Sequence, residues 1–356
     1  MKEMHGPGLS RGKRCWCGVV VLLVVLGLVT SLRVGAAPAE EGGEPHVIKF
    51  ACVAPEGSVY VSEARKWDQE LRSLTSGRAM FRIFPGGILG EEEDIIRKMR
   101  AGQVHATGVT GIGMGEMAPE ARVVELPRLF RNYEELDAVI ERLTPYFAQK
   151  FSERGYVLMG FTEVGPIHIF SQEPIRNLSD LGRSRMWGWE SDPLSLAIFD
   201  VSGASAVPLN LLSVLSSLQT GVIDGVYGSP LAVVTMQWFR YVKYMTSVPL
   251  GYASGVIVID KRAFDALPED IQALQMELGR KYTRRITERV RRDNARALEL
   301  MKARGLRIAE PSEEDLKKLD EVMPRVWDRF SGTLYPPELL DQVRQIVAEL
   351  RDHGTT

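Results

Sequence analysis

Apolar strand-like segments and amphipathic helix-like segments alternate along the chain, and this alternation limits the folds that it can adopt. The segment HVIKFACV (46–53) is followed by a helical pattern that begins after Ser58, and a second strand pattern, MFRIFPGG, ends at Pro85. A helix with acids in its first turn (Glu91 to Asp94) and bases in its last turn comes next, followed by VHATGVTG. This order predicts an α/β fold in which helices cover a parallel sheet.

The second part of the chain continues the pattern and suggests two lobes. Strands are expected at YVLMGFTE, IHIFS, RSRMWGW and GVIVID. From Pro268 to about Arg304 no further proline interrupts the sequence, which predicts one helix of roughly 50 Å at about 1.5 Å per residue. Because a helix of that length exceeds one small lobe, we expect it to brace two of them.

The N-terminal residues have the layout of a secretory signal peptide. Basic residues between Lys2 and Arg14 precede the apolar run CWCGVVVLLVVLGLVTS, and small residues follow it. Cleavage is expected after Ala36 or Ala39, which would leave a periplasmic protein. An uncleaved membrane anchor is the alternative, since the run of 17 residues is near the lower limit for a membrane span.

Composition excludes several functions. Removal of residues 1–36 takes away five basic residues and one acidic residue, so the net charge changes from −2 to −6, which argues against nucleic acid as a partner. Only Cys52 then remains, so no internal disulfide is expected, and no zinc-binding histidine spacing occurs.

The segment GVTGIGMGEM lacks the spacing of a phosphate loop and is expected to form a strand end and a loop beside a cleft. Because no catalytic, metal or cofactor motif occurs, we expect a protein that binds rather than reacts.

Two tryptophans lie close together in the segment SRMWGWESDP. In a strand, Trp187 and Trp189 would share one face. The strand ends at Glu190 and leads into a helix that Asp192 and Pro193 begin. Ligands of open α/β sheets bind beyond the carboxyl ends of the strands, so at least one tryptophan is expected to contact a ligand. Packing in the core is the alternative.

Several segments resemble one known family. NLSDLGRSRMWGW, PGGILGEEEDIIRKMRAGQV and GASAVPLNLLSVLSSLQTGVIDGVYGSPLAVV are similar to segments of the DctP-type extracytoplasmic solute-binding proteins of TRAP transporters, and the similarity runs from about His46 to about Gly332. The resemblance implies a two-lobed periplasmic binding protein, type II-like, with a long lobe-bridging helix. Such a protein closes around a small-molecule ligand and delivers it to TRAP membrane permease subunits, without cofactor or enzymatic reaction. A monomer is expected.

The resemblance and the strand pattern together predict the division of the chain. The expected parts are a signal peptide at 1–36, a linker at 37–45, lobe I at 46–164 plus about 254–293, lobe II at 165–253 plus about 294–332, and a C-terminal helix and tail at 333–356.

The chain departs from the family at two positions that matter for the ligand. Family members that carry organic acids hold the substrate carboxylate with arginines, and an ungapped comparison places Trp187 at one of these arginines and Ile167 near the other. An apolar wall cannot match a buried carboxylate, so a partly apolar or aromatic ligand stacked on Trp187 and Trp189 is expected. The resemblance and this interpretation assign further site positions to Glu92, Thr110, Gly111, Glu190, Leu211, Tyr227 and Ser229.

Other interpretations of the ligand and the role stay open. The ligand can still be an organic acid held by a displaced cation, and the candidates are Arg183, Arg185, Arg128 and His168. A ligand-sensing or partner-docking protein without a transport role is a third possibility. An enzyme is the least favoured.

Overall fold

The structure is a computed structural model, and it describes residues 44–353. The expected signal peptide and most of the expected linker therefore lie outside the described residues. The strands are β1 His46–Ala51, β2 Ala79–Phe84, β3 Ala106–Thr110, β4 Tyr156–Ser171, β5 Met186–Trp189, β6 Ala206–Leu209, β7 Gly225–Gly228, β8 Tyr244–Thr246, β9 Gly251–Asp260 and β10 Arg307–Ala309. The α-helices are α1 Val59–Leu74, α2 Glu92–Arg100, α3 Gly111–Met117, α4 Tyr133–Glu153, α5 Leu178–Arg183, α6 Pro193–Val201, α7 Val214–Thr220, α8 Pro230–Thr235, α9 Lys261–Asp265, α10 Glu269–Ala303, α11 Glu313–Val322, α12 Pro324–Phe330 and α13 Pro337–His353. Short 3-10 helices occupy Pro119–Glu125, Leu211–Ser213 and Trp238–Arg240.

The first group of strands has the order β2-β1-β3-β9-β4. β1 pairs in parallel with β2 and β3, which confirms the arrangement expected for the first three strands. β9 runs antiparallel to both β3 and β4. The segment GIGMGEM, expected to be a loop, forms the short helix α3. The prediction was wrong because the Thr110 hydroxyl caps the segment by accepting from the Ile112 N–H at 3.4 Å.

One strand connects this group to a second one. The sequence suggested two strands around Pro166, but β4 is continuous over 16 residues. Tyr156–Ile167 pairs with β9, and His168–Ser171 pairs with β7. The proline is accommodated because the ladder shifts register just before it, at Gly165, whose φ is 120°. A Cβ at Gly165 would also clash with the Asn294 side chain of α10, so both space and φ favour glycine at this position.

The second group contains β5, β6, β7, β8 and β10. β7 pairs antiparallel with β4, β5 pairs in parallel with β7 and β6, and β8 joins β4 to β10. Its core is an aromatic and aliphatic cluster around Phe170, Trp187 and Trp238. Because β5 and β7 are parallel, their carboxyl ends lie at the same edge, followed by the N-termini of α6 and α8.

The expected long helix is present as α10, which has 35 residues. Near its N-terminus, Gln275 accepts a hydrogen bond from the Trp67 indole at 3.0 Å, beside the first group of strands. Near its C-terminus, Asn294 accepts from the Leu231 N–H at 2.8 Å, at the start of α8 in the second group. The helix therefore packs against both groups of strands. Within residues 44–353, no helix is both long enough and apolar enough to cross a membrane.

Candidate functional site

A cavity of about 680 Å³ lies between the two groups of strands. One side is formed by the end of β1, the start of α1, the end of β3 and the 3-10 helix Pro119–Glu125. The other side is formed by β5, α6, β7 and α8. The volume lies in the range of sites that bind small molecules.

Aromatic side chains form one wall of the cavity. The Trp187 ring stacks on Tyr227, with centroids 4.9 Å apart and planes at 17°. Trp189 lies 5.6 Å from Trp187, as expected for two residues on one face of a strand, and Trp238 meets Trp187 edge-on at 5.2 Å. All four residues line the cavity. The wall presents aromatic rings to the cavity, together with the Trp189 and Trp238 indole N–H groups, which have no hydrogen-bond partner among the described residues.

Trp187 belongs to this wall and to the core at the same time. Its side chain is only 2% exposed, and its indole N–H donates to the Leu209 carbonyl at 3.0 Å. A buried tryptophan with a satisfied N–H stabilises the fold whatever else it touches. Trp189 is half-buried and is the more accessible of the two tryptophans. A ligand contact by either residue stays a prediction.

Glu92 is a buried carboxyl on the side opposite the aromatic wall. It accepts hydrogen bonds from the Thr110 N–H at 2.8 Å, the Thr110 hydroxyl at 3.1 Å and the Gly113 N–H at 2.9 Å. Among the described residues no cation pairs with it, and burial raises its pKa to about 7 despite these donors. Glu92 therefore joins α2 to the end of β3 and to α3 through hydrogen bonds, at the lining of the cavity.

The buried cation of the cavity is Arg122, which the sequence did not indicate. Its Nη2 donates to Asp192 Oδ1 at 2.9 Å, its Nε lies 2.8 Å from Glu125 Oε2, and its Nη1 donates to the Gly111 carbonyl at 3.0 Å. Asp192 is also the N-cap of α6, where it accepts from the N–H groups of Leu194 and Ser195. The cap was predicted, whereas the ion pair spans 70 positions of sequence and left no local signal.

The structure brings most of the predicted site positions together. Nine of them line this one cavity: Glu92, Thr110, Gly111, Ile167, Trp187, Trp189, Leu211, Tyr227 and Ser229. Glu190 is exposed and is not among the described residues that line it. Arg122, Glu125 and Asp192 are lining residues that sequence analysis did not select.

The cations proposed as displaced clamps lie elsewhere. Arg185 pairs with Asp224 at 2.9 Å, and Arg128 pairs with Asp320 at 2.6 Å. Arg183 is paired within its own helix, and the His168 ring is hydrogen-bonded to the Thr246 carbonyl at 2.7 Å. None of the four lines the cavity as the described residues define it. Besides Arg122, the lining includes Arg289, which pairs with Glu63 at 2.5 Å.

Comparisons with known proteins agree with this architecture. A solute-binding protein of Roseobacter denitrificans is 32% identical over 258 residues, which cover 72% of this chain and 77% of that protein. The C4-dicarboxylate-binding periplasmic protein DctP of Rhodobacter capsulatus is 23% identical over 86% of this chain and 92% of its own length. The sugar acid binding protein DctPAm from Advenella mimigardefordensis, solved in complex with galactonate, has a TM-score of 0.79 at 22% identity and covers 86% of this chain and 98% of that chain.

The family model named DctP, bacterial extracellular solute-binding protein, family 7, matches residues 50–333. That match spans both groups of strands and the long helix. These relatives are solute-binding proteins rather than enzymes. The chain belongs to the DctP family of extracytoplasmic solute-binding proteins of TRAP transporters, which have a two-lobed α/β fold.

Proposed function

We propose that this protein captures a small, partly apolar or aromatic molecule in the cavity and delivers it to the membrane permease of a TRAP transporter. One observation carries the proposal: Arg122, the buried guanidinium of the cavity, is already paired with two carboxylates. At the positions where acid-binding relatives are expected to place arginines, this chain has Trp187 and Ile167, which both line the cavity. A ligand without a carboxylate needs no further cation there.

Desolvation favours an apolar ligand in this cavity. A carboxylate that enters a closed cavity loses its water, and the effective cost is several kcal/mol unless a cation and hydrogen-bond donors replace it. An aromatic ring that enters the same cavity gains about 25 cal/mol for each Å² of apolar surface removed from water. Stacking on Trp189 or Tyr227 adds about 0.5–1.5 kcal/mol. The lining therefore favours an apolar ligand over an organic acid.

The ligand is expected to hold two lobes closed. We assign lobe I to 46–164 plus about 254–293 and lobe II to 165–253 plus about 294–332, with β4 and α10 passing between them. Differential affinity for the closed state would then shift the population towards closure. Small-angle X-ray scattering with and without ligand tests this assignment, and an unchanged radius of gyration at saturation would contradict it.

Matched substitutions at neighbouring leucines test the site. Leu211 lines the cavity, whereas Leu212, the next residue, is 64% exposed and is not among the lining residues. Leu211→Trp should fill part of the cavity and release a ligand that co-purifies with the wild-type protein, while Leu212→Trp should retain it. Native mass spectrometry of protein purified without refolding measures both. Equal retention by the two variants would place the ligand outside this cavity.

An organic acid is the second candidate, because DctP of Rhodobacter capsulatus is named for C4-dicarboxylates and DctPAm holds galactonate. This function would require Arg122 to exchange Asp192 or Glu125 for the ligand carboxylate. Titration of the wild-type protein with succinate and with galactonate separates the candidates. Tight binding of either acid would favour the second.

Secretion is proposed from the N-terminal sequence, with cleavage after Ala36 or Ala39. The intact mass of the protein recovered from the periplasm identifies the mature N-terminus. A protein that begins at Met1 and sediments with membranes would favour the uncleaved anchor.

A further inference from the structure

We propose that Asp192 determines specificity by serving as an internal carboxylate that occupies the guanidinium of Arg122 and excludes organic acids. The proposal rests on the proposed function, because it requires the cavity to be the ligand site. It goes further by naming the residue that rejects one chemical class of ligand.

Each nitrogen of the Arg122 guanidinium has a neighbouring oxygen, although Nε lies within ion-pair distance of Glu125 without forming a hydrogen bond. Nη2 is taken by Asp192 at 2.9 Å, Nη1 by the Gly111 carbonyl at 3.0 Å, and Nε faces Glu125 at 2.8 Å. The three charged side chains are only 6%, 7% and 11% exposed. A ligand carboxylate that needs the bidentate fork of an arginine must therefore displace one of these partners.

Asp192 is held where it is by more than the ion pair. Its carboxylate caps α6 by accepting from Leu194 N–H at 3.2 Å and Ser195 N–H at 3.3 Å, and Pro193 fixes the first helical residue. To turn away from Arg122, the side chain would have to give up the cap as well. The internal carboxylate is thus preorganised, and an incoming acid competes with it at a disadvantage.

An acid would also add negative charge to a site that already holds an excess. Two carboxylates share one guanidinium, and burial raises the pKa of Glu125 even beside Arg122. The Tyr227 hydroxyl also has a raised pKa, first because of burial and then because of the Asp192 charge. A third carboxylate in this enclosure would meet like charges that water does not screen.

Asp192→Asn is the decisive variant because asparagine is as good an N-cap as aspartate but carries no charge. The probes are phenylacetate and phenylacetamide, which share a ring and differ in charge, and binding is measured by isothermal titration calorimetry. We expect phenylacetate to bind Asp192→Asn at least about tenfold more tightly than it binds the wild type. The affinity for phenylacetamide should change less than about threefold. Glu125→Gln should give a gain in the same direction, so a second variant is available if the first does not fold.

A matched control keeps the test specific. Asp260 is another buried N-cap aspartate, paired with Arg262 at 3.0 Å, and it does not line the cavity. Asp260→Asn should leave phenylacetate binding unchanged. If folded Asp192→Asn and Glu125→Gln both gain no affinity for phenylacetate, or if the wild type binds it as tightly as they do, the inference is wrong.

Failure of the proposed function would look different. In that case phenylacetate and phenylacetamide would bind with affinities that Leu211→Trp leaves unchanged, because the binding site would lie elsewhere. If Leu211→Trp abolishes probe binding but Asp192→Asn does not alter it, the cavity is the ligand site and only the role of Asp192 is contradicted.

Discussion

Two arginines in this protein each bind two carboxylates, and they differ in where they lie. Arg122 pairs with Glu125 and Asp192 beside the cavity, at 2.8 and 2.9 Å. Arg291 on α10 pairs with Glu163 and Asp137, at 2.8 and 2.6 Å, and its guanidinium lies 4.1 Å from the centroid of the Tyr133 ring. The distances are alike, so geometry alone does not separate the two clusters.

The two clusters differ in how far their side chains are exposed to solvent. The side chain of Arg122 is 6% exposed and that of Asp192 is 11%, against 26% for Arg291 and 51% for Asp137. Glu163, at 4%, is as buried as the carboxylates beside Arg122, so the clusters differ at the arginine and at the outer carboxylate. Water can replace Asp137 when it is lost, whereas nothing replaces Asp192. The Arg291 cluster therefore joins α10 to α4 and β4 near the surface, whereas the Arg122 cluster sets the charge of the cavity.

The largest difference between the two clusters is expected in the free energy of unfolding when each arginine is removed. Arg122→Gln leaves two buried carboxylates without a cation, so the free energy of unfolding should fall by about 3–5 kcal/mol. Arg291→Gln leaves one buried and one exposed carboxylate, and a loss of about 1–2 kcal/mol is expected. Urea unfolding of ligand-free protein measures both. Equal losses would mean that exposure does not govern these clusters.

The pH dependence of stability tests Glu92, a buried carboxyl that pairs with no cation within residues 44–353. The pKa of Glu92 is raised from 4.5 to about 7, so the native state holds this proton more tightly than the unfolded state does. The protonated Glu92 carboxyl contributes its full stabilisation below about pH 4.5, and this stabilisation is lost as the pH rises to about 7. It amounts to about 3 kcal/mol. In Glu92→Gln, this decrease in the free energy of unfolding between about pH 4.5 and about pH 7 should be missing.

Denaturant melts at several pH values measure the difference between the wild type and Glu92→Gln. Because other carboxyls titrate equally in both proteins, the difference isolates Glu92. A difference that stays constant between about pH 5 and about pH 7.5 would contradict the raised pKa.

Removal of the outer carboxylate of each cluster should have a smaller effect. Asp192→Asn keeps the cap of α6 and leaves Arg122 with Glu125, so a loss of about 1–2 kcal/mol is expected. Asp137→Asn removes an exposed partner, and its loss should stay below about 0.5 kcal/mol. Thermal and urea unfolding in the absence of ligand provide the values. A larger loss in Asp137→Asn than in Asp192→Asn would mean that the Arg122 cluster is not the more strongly enclosed of the two.

The smallest difference between the two clusters is expected in how salt changes their coupling energies. Double-mutant cycles give the coupling energy of Arg122 with Asp192 and of Arg291 with Asp137. Between about 0.05 M and about 0.5 M sodium chloride, the second coupling should weaken by a few tenths of a kcal/mol, while the first should hardly change. Equal screening of the two couplings would show that solvent ions reach the cavity cluster.

Much of the fold could be predicted because its signals are local. The charges at the two ends of α2, the proline-free stretch of α10 and the Asp-Pro start of α6 each lie within one element. The short helix α3 and the continuous strand β4 were not predicted. In both cases a local signal for a break was read too strongly: the Thr110 cap holds the glycine-rich α3, and a register shift at Gly165 accommodates Pro166 within β4.

Sequence alone determined the alternation of strands and helices, the family resemblance, and nine positions that line one cavity. The tertiary structure alone decided the charge of that cavity. Arg122 reaches Asp192 across 70 positions, and such a pair depends on how two groups of strands face each other, which no local pattern encodes. Local patterns follow from the backbone geometry of single elements, whereas the balance of buried charge follows from which elements exclude water together.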